Sequence, residues 1–372
     1  MNQHGLDLVF LGLSLSSSWG NGHATTYRSL LAGLKHNGHR VIFLEREVPW
    51  YADHRDLENP AFCELRYYNS VAELESEHAS ALQQADAVIV GSYVPEGVAV
   101  IDAVACLCTG PFCFYDIDTP VTLRKLAAGD DEYIAARQIP FFDAYFSFTG
   151  GPMLTRLVRE HGARRAEPLY CSVDPEIYRS QTESKRWDLG YLGTYTPDRQ
   201  PKLELLLIDV AEQMPDHRFV VAGPLYPNDV SWPPNVERIH HLAPRDHASF
   251  YARQRFTLNI TRADMTAAGW SPSVRLFEAA ASGTPVITDR WAGLDEFFPA
   301  GEAIYCASST SDVVEVLKSD ECERLATAAE AHARVLSSHT GIARARQLEQ
   351  HLMSLRGARP MELEARLIGQ TI

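Results

Sequence analysis

The sequence predicts an α/β protein of two domains in tandem, each built on a parallel sheet. Three observations predict it. Short apolar runs alternate with helical stretches along the chain, the pattern of βαβ units. The alternation stops at an irregular polar stretch, residues 174–186, and starts afresh at 187. The 372 residues are enough for about two domains of ~150 residues each. A content of 45% hydrophobic and 22% charged residues is that of a packed soluble protein.

Charge and cysteine usage narrow the function. The net charge is −14 with no long basic run, which argues against nonspecific nucleic-acid binding. An acidic substrate can still be held in a local basic pocket. The seven cysteines are an odd number without metal-ligand spacing. They are expected to be buried free thiols in a reducing cytoplasm, and no metal is expected. No basic region precedes the first apolar run, and no stretch approaches the ~20 apolar residues of a membrane span. A cytoplasmic location is therefore expected, with at most peripheral membrane contact through a partner or substrate.

In the first half, residues 6–13 predict a buried strand. Ser16-Ser17-Ser18-Trp19-Gly20-Asn21-Gly22-His23 is a small-residue loop, residues 24–35 a helix ended by Gly38-His39, and Val41-Ile42-Phe43-Leu44 the next strand. This is the start of a βαβ unit. Gly20 and Gly22 match the first two glycines of a dinucleotide fingerprint, but Thr25 stands where the third belongs. The loop still forms a rim at the carboxyl end of a strand, where α/β sites lie. His23 on that rim is a candidate catalytic or substrate residue, the alternative being a structural or merely exposed histidine. Residues 86–91 predict another strand, with an outgoing loop over 92–97. Residues 111–115 predict a further strand, followed by Asp116-Ile117-Asp118-Thr119-Pro120. Alternation puts Asp116 and Asp118 on one side if the strand continues, and either can take a proton from a hydroxyl. The alternative is a turn and cap ahead of a helix over 121–128. An aromatic strand (141–148), a turn at Gly150-Gly151-Pro152, a helix (153–161) and a short strand (169–173) complete the domain. It is read as 1–173, with 174–186 as linker.

The second half repeats the plan. Strand 187–192 leads into Gly193-Thr194-Tyr195-Thr196-Pro197-Asp198-Arg199 and a helix over 202–213. Strands follow at 218–222, 236–240 and 256–260, with a helix over 245–253. Then comes Gly269-Trp270-Ser271-Pro272-Ser273-Val274-Arg275-Leu276-Phe277-Glu278, a loop entering a helix that Ser271 or Ser273 can cap. Gly283 suits a left-handed C-cap, and Val286-Ile287 a buried strand. Arg275 and Glu278 lie three apart and share one helical face. A helix start with free amides, a cation and a carboxylate can hold phosphates and a ribose diol. An ordinary surface ion pair is the alternative. A strand at 302–306 and helices end the chain; 341–355 is expected to pack back across the first domain, with a short or partly ordered helix after 356. The second domain is read as 187–338 and the C-terminal helices as 339–372. The chain thus reads as two tandem Rossmann-like domains, and a cleft between them is the expected ligand site.

Residues 187–199, 219–224 and 269–289 resemble the C-terminal half of glycosyltransferases with the GT-B fold. The likeness is to CgeB-like enzymes with a Group 1 glycosyltransferase domain, whose signature is similar to Gly-Trp-Ser-Pro-Ser-x-Arg-x-Phe-Glu-Ala followed by Gly-Thr-Pro-Val-Ile. The first half resembles them in fold only. The resemblance implies two Rossmann-like domains facing a cleft, a nucleotide-sugar donor on the second, and no bound metal. It implies that Glu278 accepts from ribose hydroxyls and that Arg275 neutralises the diphosphate or orients Glu278. Arg199, Lys202 and Arg262 match basic positions that stabilise the departing nucleoside diphosphate. Gly193, Thr194, Trp270, Ser271 and Ser273 are read as further donor-site residues. Retaining enzymes of the group carry a second glutamate eight positions before the one that Glu278 matches; here that position is Trp270.

The expectation is a glycosyltransferase, hexosyl or deoxyhexosyl, moving a sugar from a UDP-, GDP- or dTDP-linked donor to a hydroxyl on a glycan or small molecule. If it inverts, Asp118, Asp116 or His23, in that order, is the base. If it retains, these three position the acceptor. A nucleotide-sugar epimerase of the same architecture and a non-catalytic nucleotide-sugar-binding protein are the alternatives. Base, sugar, acceptor and oligomeric state are open.

Overall fold

The computed structural model describes residues 5–19 and 22–369, with side chains as far as Arg356. Gly20 and Asn21 of the expected glycine loop lie outside the described residues. The chain divides into two compact units, Met1–Tyr170 with Gly341–Ile372, and Cys171–Thr340.

The first unit holds β1 (Asp7–Gly12), β2 (Arg40–Arg46), β3 (Glu64–Tyr68), β4 (Ala87–Gly91), β5 (Phe112–Asp116), β6 (Ala144–Ser147) and β7 (Ala166–Pro168), ordered β3-β2-β1-β4-β5-β6-β7. Every pairing is parallel. β4 and β5 are buried at every position, as unbroken apolar runs must be when helices cover both faces. The helix Gly22–His36 buries Tyr27, Leu30, Leu31 and Leu34. The C-terminal helix Gly341–Gly369 lies against it. Their approach requires glycine: a Cβ on Gly33 would sit 2.2 Å from the Gly341 carbonyl oxygen.

The second unit holds β8 (Trp187–Leu192), β9 (Phe219–Ala222), β10 (Val236–Ile239), β11 (Gln254–Asn259), β12 (Val286–Thr288) and β13 (Tyr305–Cys306), ordered β10-β9-β8-β11-β12-β13 and again all parallel. Its core joins Leu189, Phe219, Val221, Phe256, Leu258 and Ile287 of the strands to Leu203, Leu206 and Leu207. In both sheets the strand order reverses beside the first strand, between β1 and β4 and between β8 and β11. Ligands of doubly wound sheets bind outside the carboxyl ends of the strands at such a switch point.

Several expectations change. β3 is not in the sequence reading; only Tyr68 of its five residues is buried, so this edge strand lacks a strong apolar pattern. The strand expected at 169–173 is instead β7 at Ala166–Pro168, and the one expected at 302–306 shrinks to Tyr305–Cys306. The C-terminal helix continues to Gly369. Residues 174–186 fall within the second unit. All seven cysteines are free, but only Cys113 and Cys171 are buried; Cys106 and Cys322 are exposed. Among the described residues no helix is long and apolar enough to cross a membrane.

Candidate active site

In the second unit the segments that follow β8 and β11 carry the cations singled out by the sequence, Arg199 and Lys202 after β8 and Arg262 and Arg275 after β11. Arg199 closes its own loop, donating from Nε to Thr196 Oγ1 at 2.8 Å and from Nη2 to the Thr194 carbonyl at 2.7 Å. Lys202 Nζ pairs with Asp289 Oδ2 at 2.6 Å, and Asp289 Oδ1 accepts from the Thr261 amide at 2.9 Å. One carboxylate thus ties the ends of β11 and β12 to the helix after β8. Asp198 accepts from the Ala263 amide at 3.1 Å. Burial opposes its charge, but hydrogen bonds from Thr196 and Ala263, with Arg199 and Arg262 nearby, hold its carboxyl below the usual range. Tyr191, at the end of β8, lies in the field of Arg199, Arg275, Asp198 and Asp289. The four charges therefore share one end of the sheet. Gly193 lies under the Tyr191 hydroxyl, which a Cβ would meet at 2.5 Å.

The stretch from Gly269 to Glu278 turns through two left-handed residues, Gly269 (φ +66°) and Trp270 (φ +43°). For a tryptophan that backbone is strained. Contacts hold it: the Trp270 amide donates to the Ala292 carbonyl and its indole to Glu296 Oε1, both at 2.6 Å. Trp270 and Ser271, read as donor-site residues, are thus committed inside the unit, Ser271 Oγ donating to Met265 Sδ at 3.0 Å. Ser273 is the cap, accepting from the Arg275 amide at 3.3 Å at the start of the helix Val274–Ala281.

Arg275 and Glu278 pair at 2.5 Å, as their spacing predicts, yet they are not a surface pair. The Arg275 side chain is 32% exposed and that of Glu278 1%. Glu278 Oε1 accepts from the Tyr178 hydroxyl at 2.8 Å, Oε2 accepts from Tyr251 at 3.2 Å, and His247 Nδ1 stands 3.8 Å from Oε2. This corrects the expectation that Glu278 faces a ligand: the helix is buried on every side from Leu276 to Ala281, Glu278 included. Burial opposes ionisation of Glu278, but Arg275 outweighs it and holds the carboxyl below its ordinary value. Burial likewise opposes the charge on Arg275, and Glu278 overcomes it, raising the guanidinium above its usual value. Burial lowers His247 to about 4, against a partial offset from Glu278.

In the first unit the β1–β4 switch point brings His23 and Asp118 together through a residue the sequence reading missed. Tyr93 follows β4 with a left-handed backbone, φ +65°. The His23 ring meets its edge, with centroids 5.0 Å apart, and its hydroxyl donates to Asp118 Oδ2 at 3.1 Å. Asp118 stands at the N-cap of the helix Thr119–Ala127 but makes no side-chain cap bond. β5 ends at Asp116, so the two aspartates do not alternate along one strand. Asp116 is fully buried and accepts from Tyr145 Oη at 2.5 Å, Thr122 Oγ1 at 2.9 Å and the Asp118 amide at 3.2 Å. It therefore cannot touch an acceptor, which removes it as the direct base. Burial pushes its carboxyl up to about 6 against those three donors. Tyr178 and Tyr251 were also missed, because each reaches its carboxylate from a distant part of the chain. Among the described residues no group of three or more His, Cys, Asp or Glu is placed to hold a metal.

Residues 199–350 match the family described as "Glycosyl transferase-like", the segment that carries Arg199, Lys202, Arg262, Arg275 and Glu278. No curated protein matches the chain in sequence. Solved structures do match in fold. Anabaena HepE in complex with UDP and glucose is 12% identical at a TM-score of 0.66, over 94% of this chain and 100% of that one. Sucrose-phosphate synthase from Thermosynechococcus elongatus is 12% identical at 0.66, over 95% and 100%. An α-glucosyltransferase in complex with UDP-glucose and DNA containing an abasic site is 12% identical at 0.69, over 93% and 98%. The two doubly wound sheets are those of the GT-B fold. Within that fold, residues 199–350 are similar to the matched family, and sugar transfer is the function this similarity supports.

Proposed function

We propose that the protein moves a sugar from a nucleotide-sugar donor held on its second unit to a hydroxyl acceptor. The observation that carries this reading is the gathering of Arg199, Arg262, Lys202 and Arg275 at the carboxyl end of the β8–β11 sheet, beside the capped start of the helix Val274–Ala281. A diphosphate is the anion such a place favours. Arg275, part exposed, contacts the diphosphate, and Glu278 is a positioning residue that keeps the guanidinium charged and aimed. The bond from the anomeric carbon to the phosphate oxygen breaks with its electron pair on the diphosphate, where these cations stabilise the developing charge. In this reading guanidinium and ammonium groups carry that charge without a metal. The acceptor oxygen forms the new bond and gives its proton to Asp118, the part-exposed carboxylate of the first unit.

HepE and the α-glucosyltransferase were solved with UDP or UDP-glucose, so UDP-glucose is the first donor to try. The Gly-Trp-Ser-Pro-Ser-x-Arg signature supports a CgeB-like branch, and the free cysteines support a cytoplasmic place. A thermal-shift panel of UDP-, GDP- and dTDP-sugars tests the reading, since ligand at 100 times its dissociation constant stabilises by about 2.7 kcal/mol. One nucleotide should stand out, and slow release of its diphosphate without acceptor should follow. No shift with any of them overturns the reading.

A further inference from the structure

Asp116 is fully buried, yet a line of hydroxyl groups leads from it toward Asp118. From the surface inward, Tyr93 Oη donates to Asp118 Oδ2 at 3.1 Å. The Tyr93 and Tyr133 rings pack against each other, with centroids 4.5 Å apart. Tyr133 Oη and Thr122 Oγ1 lie 2.7 Å apart. Thr122 Oγ1 donates to Asp116 Oδ1 at 2.9 Å. Three of the four links are hydrogen bonds by distance, the fourth is the contact of the Tyr93 and Tyr133 rings, and the line has an ionisable carboxyl at both ends.

We propose that this line is a proton relay, which passes the proton that Asp118 takes from the acceptor hydroxyl inward to Asp116. The inference rests on Asp118 being the base in the function proposed above. Each hydroxyl has one proton to donate. While Asp118 is ionised, Tyr93 points its proton outward at the carboxylate. Once Asp118 is protonated it becomes a donor, and Tyr93 turns inward to Tyr133. Tyr133 then donates to Thr122 and Thr122 to Asp116, so all four donors point the same way. The transfer breaks the O–H bond on Asp118 and forms one on Asp116. Each hydroxyl between them gives up one proton and receives one. Asp118 returns to its ionised state while the spent proton is held inside.

The surroundings suit a proton store. The titratable groups that act on Asp116 are Asp118, Tyr27 of the helix Gly22–His36, Tyr145 of β6, Tyr133 and Tyr93. Asp118 is the one carboxylate in that set. Lys125 Nζ lies 5.9 Å from the Tyr93 ring centre and 5.7 Å from that of Tyr133, and it is paired with Glu132 and Asp130. Burial sets Asp116 at about 6, where it can take and release a proton near neutral pH. The strained backbone of Tyr93 gains a purpose here, since it holds the hydroxyl on Asp118 and the ring against Tyr133.

The test needs no substrate. A stopped-flow pH jump on the full chain, from about pH 5 to about pH 8, is followed by infrared absorption of protonated carboxyl groups. The band missing from Asp116→Asn belongs to Asp116. In the wild type it should decay fast. Tyr133→Phe and Thr122→Val each remove one link and should slow the decay by about tenfold or more, while Thr122→Ser restores it. Equal decay rates in wild type, Tyr133→Phe and Thr122→Val overturn the relay. So does the absence of any carboxyl band that Asp116→Asn removes. The proposed function fails separately, by absence of nucleotide binding, which this measurement does not involve.

Discussion

Glu278 and Asp116 are both fully buried carboxylates, and their surroundings drive them in opposite directions. Glu278 has a guanidinium at 2.5 Å; Asp116 has only neutral donors. Removing the charge of Glu278 strands Arg275, so Glu278→Gln should cost about 3 kcal/mol, the low end for a broken buried pair because Arg275 keeps some water. Urea unfolding checks this, and a cost below about 1 kcal/mol would return Glu278 to the role of a surface partner. For Asp116 the folded value, about 6, lies above the ordinary 3.8. Its contribution is therefore present below about pH 4 and lost as pH rises through about 6, by about 3 kcal/mol at 1.36 kcal/mol per unit. The stability of wild type relative to Asp116→Asn should fall by that amount across this window. Parallel curves would contradict it. Of these contacts the sequence could show only the Arg275–Glu278 pair, which is set by helical spacing. Tyr178 and Tyr251 lie 100 and 27 residues from Glu278, and nothing local announces them.

Elements were legible where their pattern was strong. β4 and β5 are continuous apolar runs, and Ser273 and Gly283 mark the ends of their helix by residue type. β3 is a half-exposed edge strand, and the six-residue helix Ala263–Ala268 is too short to show a period, so neither was legible. Tyr93 was missed for another reason: its left-handed backbone is a cost imposed by surrounding structure, not a preference of tyrosine. The helix pair of the first unit offers a direct test of packing. A Cβ on Gly341 would lie 2.0 Å from the Ser29 carbonyl oxygen, so Gly341→Ala should destabilise by about 1–3 kcal/mol. An unchanged unfolding midpoint would mean that this approach is looser than described.

Across the whole molecule, alternating strands and helices were enough to read two sheets, because parallel sheets need a crossover helix at each step. Unit membership was harder. Residues 174–186 look like a linker in composition, yet Tyr178 anchors them to Glu278 inside the second unit. The donor site was legible in its cations and not in its division of labour. Arg199 and Lys202 are engaged by Thr194, Thr196 and Asp289 and Arg275 by Glu278, but Arg275 also keeps a third of its side chain exposed beside the capped helix start, where it can meet a diphosphate. Calorimetric titration with UDP, GDP and dTDP tests that assignment most directly, comparing wild type with Arg275→Lys. The lysine keeps a charge beside Glu278 but loses the planar fork. One nucleotide should bind the wild type, and Arg275→Lys should bind it about tenfold or more weakly, a loss of about 1.4 kcal/mol. Equal binding of the preferred nucleotide by both proteins, or no binding of any of the three by the wild type, would contradict the donor site described here.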